Sequence, residues 1–173
     1  MKQLLFICLL FAGLHTQAQD NQQQDQAPYL KVPYVPPFKL LLTDSTWYTK
    51  EDLPKKKPIV VIYFSPDCSH CQWEAQQIVD SMEYLSNAFF VFASYKKMPE
   101  IKEFAEKYKL LAQPNIKVGR DTAYFIPSFF RVKFTPFIGM YDEDGKFVKA
   151  FPKGATIEDL RAVLERKRKK KNS

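Results

Sequence analysis

The sequence predicts an α/β fold on a central, mainly parallel β-sheet, and three observations carry that prediction. Residues 58–64 (PIVVIYF) form a continuous apolar, β-branched run, the pattern of a strand buried on both faces of a sheet. Directly after it Cys71, Ala75, Ile78, Val79, Met82 and Leu85 recur at three- and four-residue intervals, so a helix opening at Cys68 lays one apolar stripe on that sheet. Residues 89–95 supply the next apolar run and complete a βαβ unit whose crossover is expected to be right-handed.

The remaining elements follow in chain order. Residues 1–18 pair a basic start at Lys2 with an apolar run from Leu4 to Leu14 and end in Thr16-Gln17-Ala18, which suits a cleaved signal peptide and hence export to a periplasmic or other envelope space. The run is well short of the ~20 residues that span a bilayer, so a membrane-tethered form is the lesser reading. Cys8 sits inside the run rather than after it, which argues against a lipoprotein. Residues 19–37 read as a flexible tether, first Gln-rich and then carrying Pro28, Pro33, Pro36 and Pro37. The ordered domain is then expected over 38–165, with a basic tail at 166–173.

Within that domain, 39–42 suits a short strand, 43–45 a turn, and Thr49 the cap of a brief helix over 50–53. Pro99 suits the first turn of a helix over 99–111, with Ile101, Phe104, Ala105, Tyr108 and Leu111 inward. Residues 115–118 read as a short strand and 122–130 as a weak helix containing Pro127. The stretches 137–141 and 146–151 flank Asp142, Glu143, Asp144 and Gly145, a turn sequence that joins antiparallel strands. Thr156 caps a last helix with Ile157, Leu160, Val163 and Leu164 facing the sheet and Glu158 and Asp159 near its positive end.

With 173 residues, 46% hydrophobic and 26% charged, the chain has the make-up of one globular domain with its own core. Removing the leader takes Cys8 with it and leaves Cys68 and Cys71 as the only thiols. One short-range pair is no multi-bridge staple framework, and a loop that small restrains the unfolded chain little, so the pair points to reactivity. At a helix start, free backbone N–H groups and the helix dipole stabilise a thiolate. Cys68 is therefore the expected nucleophile on a partner disulfide, and Cys71, one turn inward, the resolving thiol. Half a zinc site finds no second CxxC or histidine pair to complete it. A copper-binding thiol pair, with Met98 or Met140 as a soft ligand, stays open as a non-enzymatic alternative. His70, between the cysteines, would lower the Cys68 pKa if protonated, and Asp67 opposes it. Sequence leaves that contest open.

Residues 64–71 (FSPDCSHC) after a buried strand, with Thr135-Pro136 heading a hairpin strand, resemble the thioredoxin-like superfamily over roughly 38–165. The resemblance implies a three-layer fold, a central mixed sheet with helices on both faces. It implies that Pro136 is cis beside the active-site disulfide and that Thr135 offers backbone hydrogen bonds to a partner protein. The extra helix 99–111 with residues 118–121, between the βαβ unit and the cis-proline region, is similar to the insertion of the TlpA and ResA branch, exported or membrane-tethered thiol reductases serving cytochrome c maturation or general disulfide reduction; no organic cofactor is implied. Three departures stand out. The family's buried Asp, proton acceptor for the resolving thiol, is here Ile62, leaving Glu74 or a water as its replacement; its Trp before the first cysteine is Asp67; and the active-site helix lacks the kinking Pro.

Ser65 three residues before Cys68 also fits the Ser/Thr-x-x-Cys of peroxiredoxins in part, so a thiol peroxidase is a second alternative. The tail 166–171 (RKRKKK) suits a solvated helix end complementing the dipole, or contact with anionic lipid headgroups; in an exported protein it does not point to nucleic acid.

Overall fold

The structure, a computed structural model, describes residues 26–171, with side chains to Glu165. The expected signal peptide and the first part of the tether lie outside the described residues.

Seven strands form one sheet: β1 (Lys39–Leu42), β2 (Trp47–Thr49), β3 (Ile59–Tyr63), β4 (Phe89–Ser94), β5 (Ile116–Arg120), β6 (Phe137–Tyr141) and β7 (Phe147–Phe151), in the order β2-β1-β5-β4-β3-β6-β7. β3, β4 and β5 run parallel, and the other pairings are antiparallel, so the sheet is mixed as expected. All five residues of β3 are buried, because both sheet faces are covered. Val60 and Ile62 join one core and Val61 and Tyr63 the other.

The first face carries α2 (Ser69–Asp80), α3 (Met82–Leu85), α4 (Met98–Lys107) and α6 (Ile157–Lys171), through Ile78, Leu85, Phe104 and Leu160 among others. α2 and α4 share a face, as two crossovers of one hand require when the sheet steps one way from β3 to β4 to β5. The second face carries α1 (Pro28–Lys31) and α5 (Phe125–Phe130), with Tyr29, Ile126 and Phe130 in its core.

Three expectations need correction. The helix over 68–85 is two helices, because Ser81 leaves helical geometry at φ −106°, ψ 15°. The apolar spacing survives the break and Leu85 is still fully buried, so periodicity could not show it. The helix over 99–111 ends at Lys107 and is followed by a 3-10 turn, Leu110–Ala112, after Lys109 turns left-handed. Residues 28–37 are not a tether. Tyr29 packs its ring 5.4 Å from Phe130 and 5.0 Å from Phe147, Val35 donates its N–H to the Gly145 carbonyl at 2.9 Å, and Phe147 donates to the Pro33 carbonyl at 2.8 Å. The ordered domain thus begins before Phe38. Each anchor acts singly, so no periodic pattern announces this strap, and its prolines reduce the entropy lost on ordering it.

Candidate active site

The site is built where β3 ends. Phe64 extends the strand by donating to the Ala93 carbonyl at 3.0 Å, and a turn closed by the Cys68 N–H on the Ser65 carbonyl at 3.1 Å delivers Cys68 to the start of α2. Cys68 is the N-cap, with extended geometry, and is partly exposed, whereas Cys71 in the first turn is buried; both are free thiols. A buried strand, a three-residue turn and an amphipathic helix therefore place one sulfur at the surface and one in the core.

Their acidities diverge accordingly. For Cys68, partial burial is the largest influence and works upward, but it is outweighed by hydrogen bonds from the Cys71 thiol and backbone N–H, the Thr135 side chain and the His70 backbone N–H, so the thiol lies below its ordinary value. Burial pushes the Cys71 thiol up to about 12, against the Ser65 N–H, which donates to Cys71 Sγ at 3.5 Å. One sulfur is set to be the thiolate and the other to keep its proton.

The Thr135–Pro136 bond is cis. The Cys68 thiol donates to the Thr135 carbonyl oxygen at 3.5 Å, so the strand entering β6 touches the Cys68 sulfur through its backbone. Next to Thr135, Phe134 is 58% exposed, with the Lys153 ammonium 5.3 Å above its ring.

Glu74, one turn beyond Cys71 on the buried face of α2, is 3% exposed. Its Oε2 accepts the Ala155 N–H at 3.1 Å, and burial raises its pKa to about 7, with Asp159 adding to the rise and the Ala155 bond opposing it. Gly154, at φ +85°, lies directly against this carboxylate: a Cβ there would stand 2.6 Å from Glu74 Oε2 and 3.1 Å from Pro136 Cγ. The same loop thus joins the buried acid to the cis-proline.

Asp67 is held well ionised, with a pKa lowered to about 2, first by Lys96 and then by Ser65. Lys96 Nζ lies 2.8 Å from its Oδ2, so the charge that opposes a Cys68 thiolate is answered. Lys96, 29 residues away in sequence, is the participant that sequence reasoning missed, because no spacing signals it. His70 is exposed, and the hydrogen bond that favours the Cys68 thiolate comes from its backbone rather than its ring. Ser65, the hydroxyl of the peroxidase alternative, donates instead to Asp67 Oδ1. Met140 is buried in the core below β6, and among the described residues no group of three or more His, Cys, Asp or Glu is gathered to hold a metal ion.

Thioredoxin-fold proteins are the class in which such a dithiol helix meets a cis-proline strand. This chain belongs to the family described as thioredoxin-like domain, which matches residues 49–168. Among solved structures it is similar to MTB DsbF in its mixed oxidised and reduced forms, at 22% identity and TM-score 0.64 over 75% of this chain and 93% of that one. It is similar to a secreted Mycobacterium tuberculosis disulfide oxidoreductase homologous to E. coli DsbE, at 20% identity and TM-score 0.61 over 75% and 95%. It also resembles a peroxiredoxin-like protein from Aquifex aeolicus, at 16% identity and TM-score 0.61 over 76% and 84%. No curated protein matches the sequence.

Proposed function

We propose that this chain is an exported thiol-disulfide oxidoreductase that acts on protein disulfides, running as a reductase. The observation that carries the reading is the divided pair: a partly exposed Cys68 with lowered pKa beside a buried Cys71 with raised pKa. The Cys68 thiolate attacks one sulfur of a partner disulfide, forming a mixed disulfide and releasing the partner's other sulfur as thiolate. Cys71 gives its proton to Glu74, attacks Cys68 Sγ, and expels the second partner thiolate; the chain is left with a Cys68–Cys71 disulfide and the partner with two more electrons. Thr135 and Pro136 shape the docking surface, with Thr135 pairing its backbone to the partner chain.

Export is supported by the leader pattern of residues 1–18 and by the secreted relative. Among the described residues no helix is long and apolar enough to cross a membrane. The reducing direction is supported by the similarity to the TlpA and ResA branch. Contact of the basic tail with anionic headgroups belongs to the same reading: liposome binding by the mature chain, lost in a chain ending at Glu165, supports it, and no binding by the mature chain removes it.

The test is equilibration of the mature protein against glutathione with alkylation of free thiols. A potential near ~−270 mV supports a reductase, while one near ~−120 mV makes the protein a disulfide donor. Cys71→Ser is expected to accumulate a mixed disulfide and Cys68→Ser none. Rapid stoichiometric peroxide consumption would replace the reading with a peroxidase, and copper retention abolished by Cys68→Ser would replace it with a carrier.

A further inference from the structure

Between the Cys68 loop and α4 lies a groove of about 230 Å³. Its floor is apolar, formed by Phe104 and Tyr108, and its near wall is Pro66 and Gln72, joined where the Gln72 side-chain amide donates to the Pro66 carbonyl at 2.9 Å. The rim carries three carboxylates, Asp67, Glu100 and Glu103, and one lysine, Lys107, with Lys96 close enough to feel Asp67 and Glu100. Asp67 is matched by Lys96, but the exposed Glu100 and Glu103 enter no ion pair among the described residues. On a chain with a net charge of +7, this is a patch of opposite sign set beside the nucleophile.

Topology gives the groove its direction. β4, which leads into α4, and β6, which Thr135 precedes, flank β3 on opposite sides. A partner chain lying along Thr135 and crossing Cys68 therefore runs on toward the groove.

We propose that this groove is a specificity subsite for a basic segment of the partner protein, next to its reactive cysteine. The stem of a partner Lys or Arg lies on Phe104 and Tyr108, and its cation is met by Glu100 and Glu103, a division of labour that suits long cationic side chains. At the same place an acidic segment meets two carboxylates that no salt bridge among the described residues neutralises. Charge matching of this kind acts on encounter and weakens with salt. The inference rests on the exchange reaction proposed above.

The experiment compares two disulfide-bonded peptides, identical except for Arg or Glu beside the cysteine, with hydroxyethyl disulfide as an uncharged reference. We expect the reduced protein to react with the Arg peptide faster by about tenfold at low salt. The preference should shrink severalfold in 0.5 M salt and in Glu100→Gln/Glu103→Gln, with the reference rate unchanged. Equal rates for the two peptides, or a reference rate that falls with the peptide rates in the double variant, would overturn the subsite. Peptide titration of Cys68→Ser/Cys71→Ser reads the groove without chemistry. Arg-selective binding there, with no exchange by the native protein, would keep the subsite and sink the oxidoreductase reading; unselective binding would sink the subsite alone.

Discussion

Glu74 is a residue whose chemistry is set by the fold rather than by its sequence neighbours. Its pKa is raised from 4.5 to about 7 by burial, so the unfolded chain loses this proton between pH 4.5 and 7 while the folded chain holds it. Folding stability therefore falls as pH rises through that window and levels off above it, by on the order of 3 kcal/mol for this group. Glu74→Gln keeps an acceptor for the Ala155 N–H and removes the ionisable group. Urea denaturation at pH 5 and pH 8 should show a smaller loss of stability across that interval in the variant than in the native protein; an identical loss would show that Glu74 does not titrate in this range. The same variant should slow the resolving step near neutral pH and leave attack by Cys68 unchanged, read as a mixed disulfide that persists. Sequence reasoning left the acceptor open between Glu74 and water, because a lone Glu on a helix reads as solvated until the fold around it is known.

At the level of elements, Asp121 and Gly154 each hold a loop in a way that a single substitution can test. Asp121, 1% exposed, accepts the Phe125 N–H at 3.1 Å and the Ile126 N–H at 2.7 Å, and so caps the start of α5. Asp121→Ala leaves both donors without this partner, the Ile126 N–H buried and the Phe125 N–H partly so, and should cost about 2 kcal/mol in equilibrium unfolding. Gly154→Ala forces a side chain into left-handed backbone and into the Glu74 carboxylate. It is expected to lower stability by about 1 kcal/mol or more and to move the apparent pKa of the resolving step; a variant with native stability and an unchanged pH profile would show that the loop adjusts freely. The β-strands other than β2 and the helix after Cys68 were legible from apolar period. The break at Ser81 and the three-residue β2 were not, because neither interrupts that period.

For the molecule as a whole, the strap 28–37 ties the start of the chain to the β6–β7 hairpin and covers the second core. A chain that begins at Phe38 uncovers the ring faces of Phe130, Phe137 and Phe147 and loses the buried Val35. It should be less stable than the chain that begins at Gln19 by on the order of 3 kcal/mol, measured by urea denaturation; equal midpoints would return these residues to the role of a tether. Covering the far face of the sheet in this way leaves the dithiol end free for a partner.

The strand 58–64, the helix that follows it, the hairpin and the placing of the CxxC pair at a helix start were determined by the sequence itself, since hydrophobic period, turn residues and cysteine spacing are local signals. Tertiary structure alone decided that Lys96 answers Asp67, that Glu74 is buried against Gly154, that residues 28–37 pack, and that Glu100 and Glu103 border the Cys68 loop. Each of those depends on groups distant in the chain being brought together, and on the desolvation and Coulomb interactions that begin only once they meet.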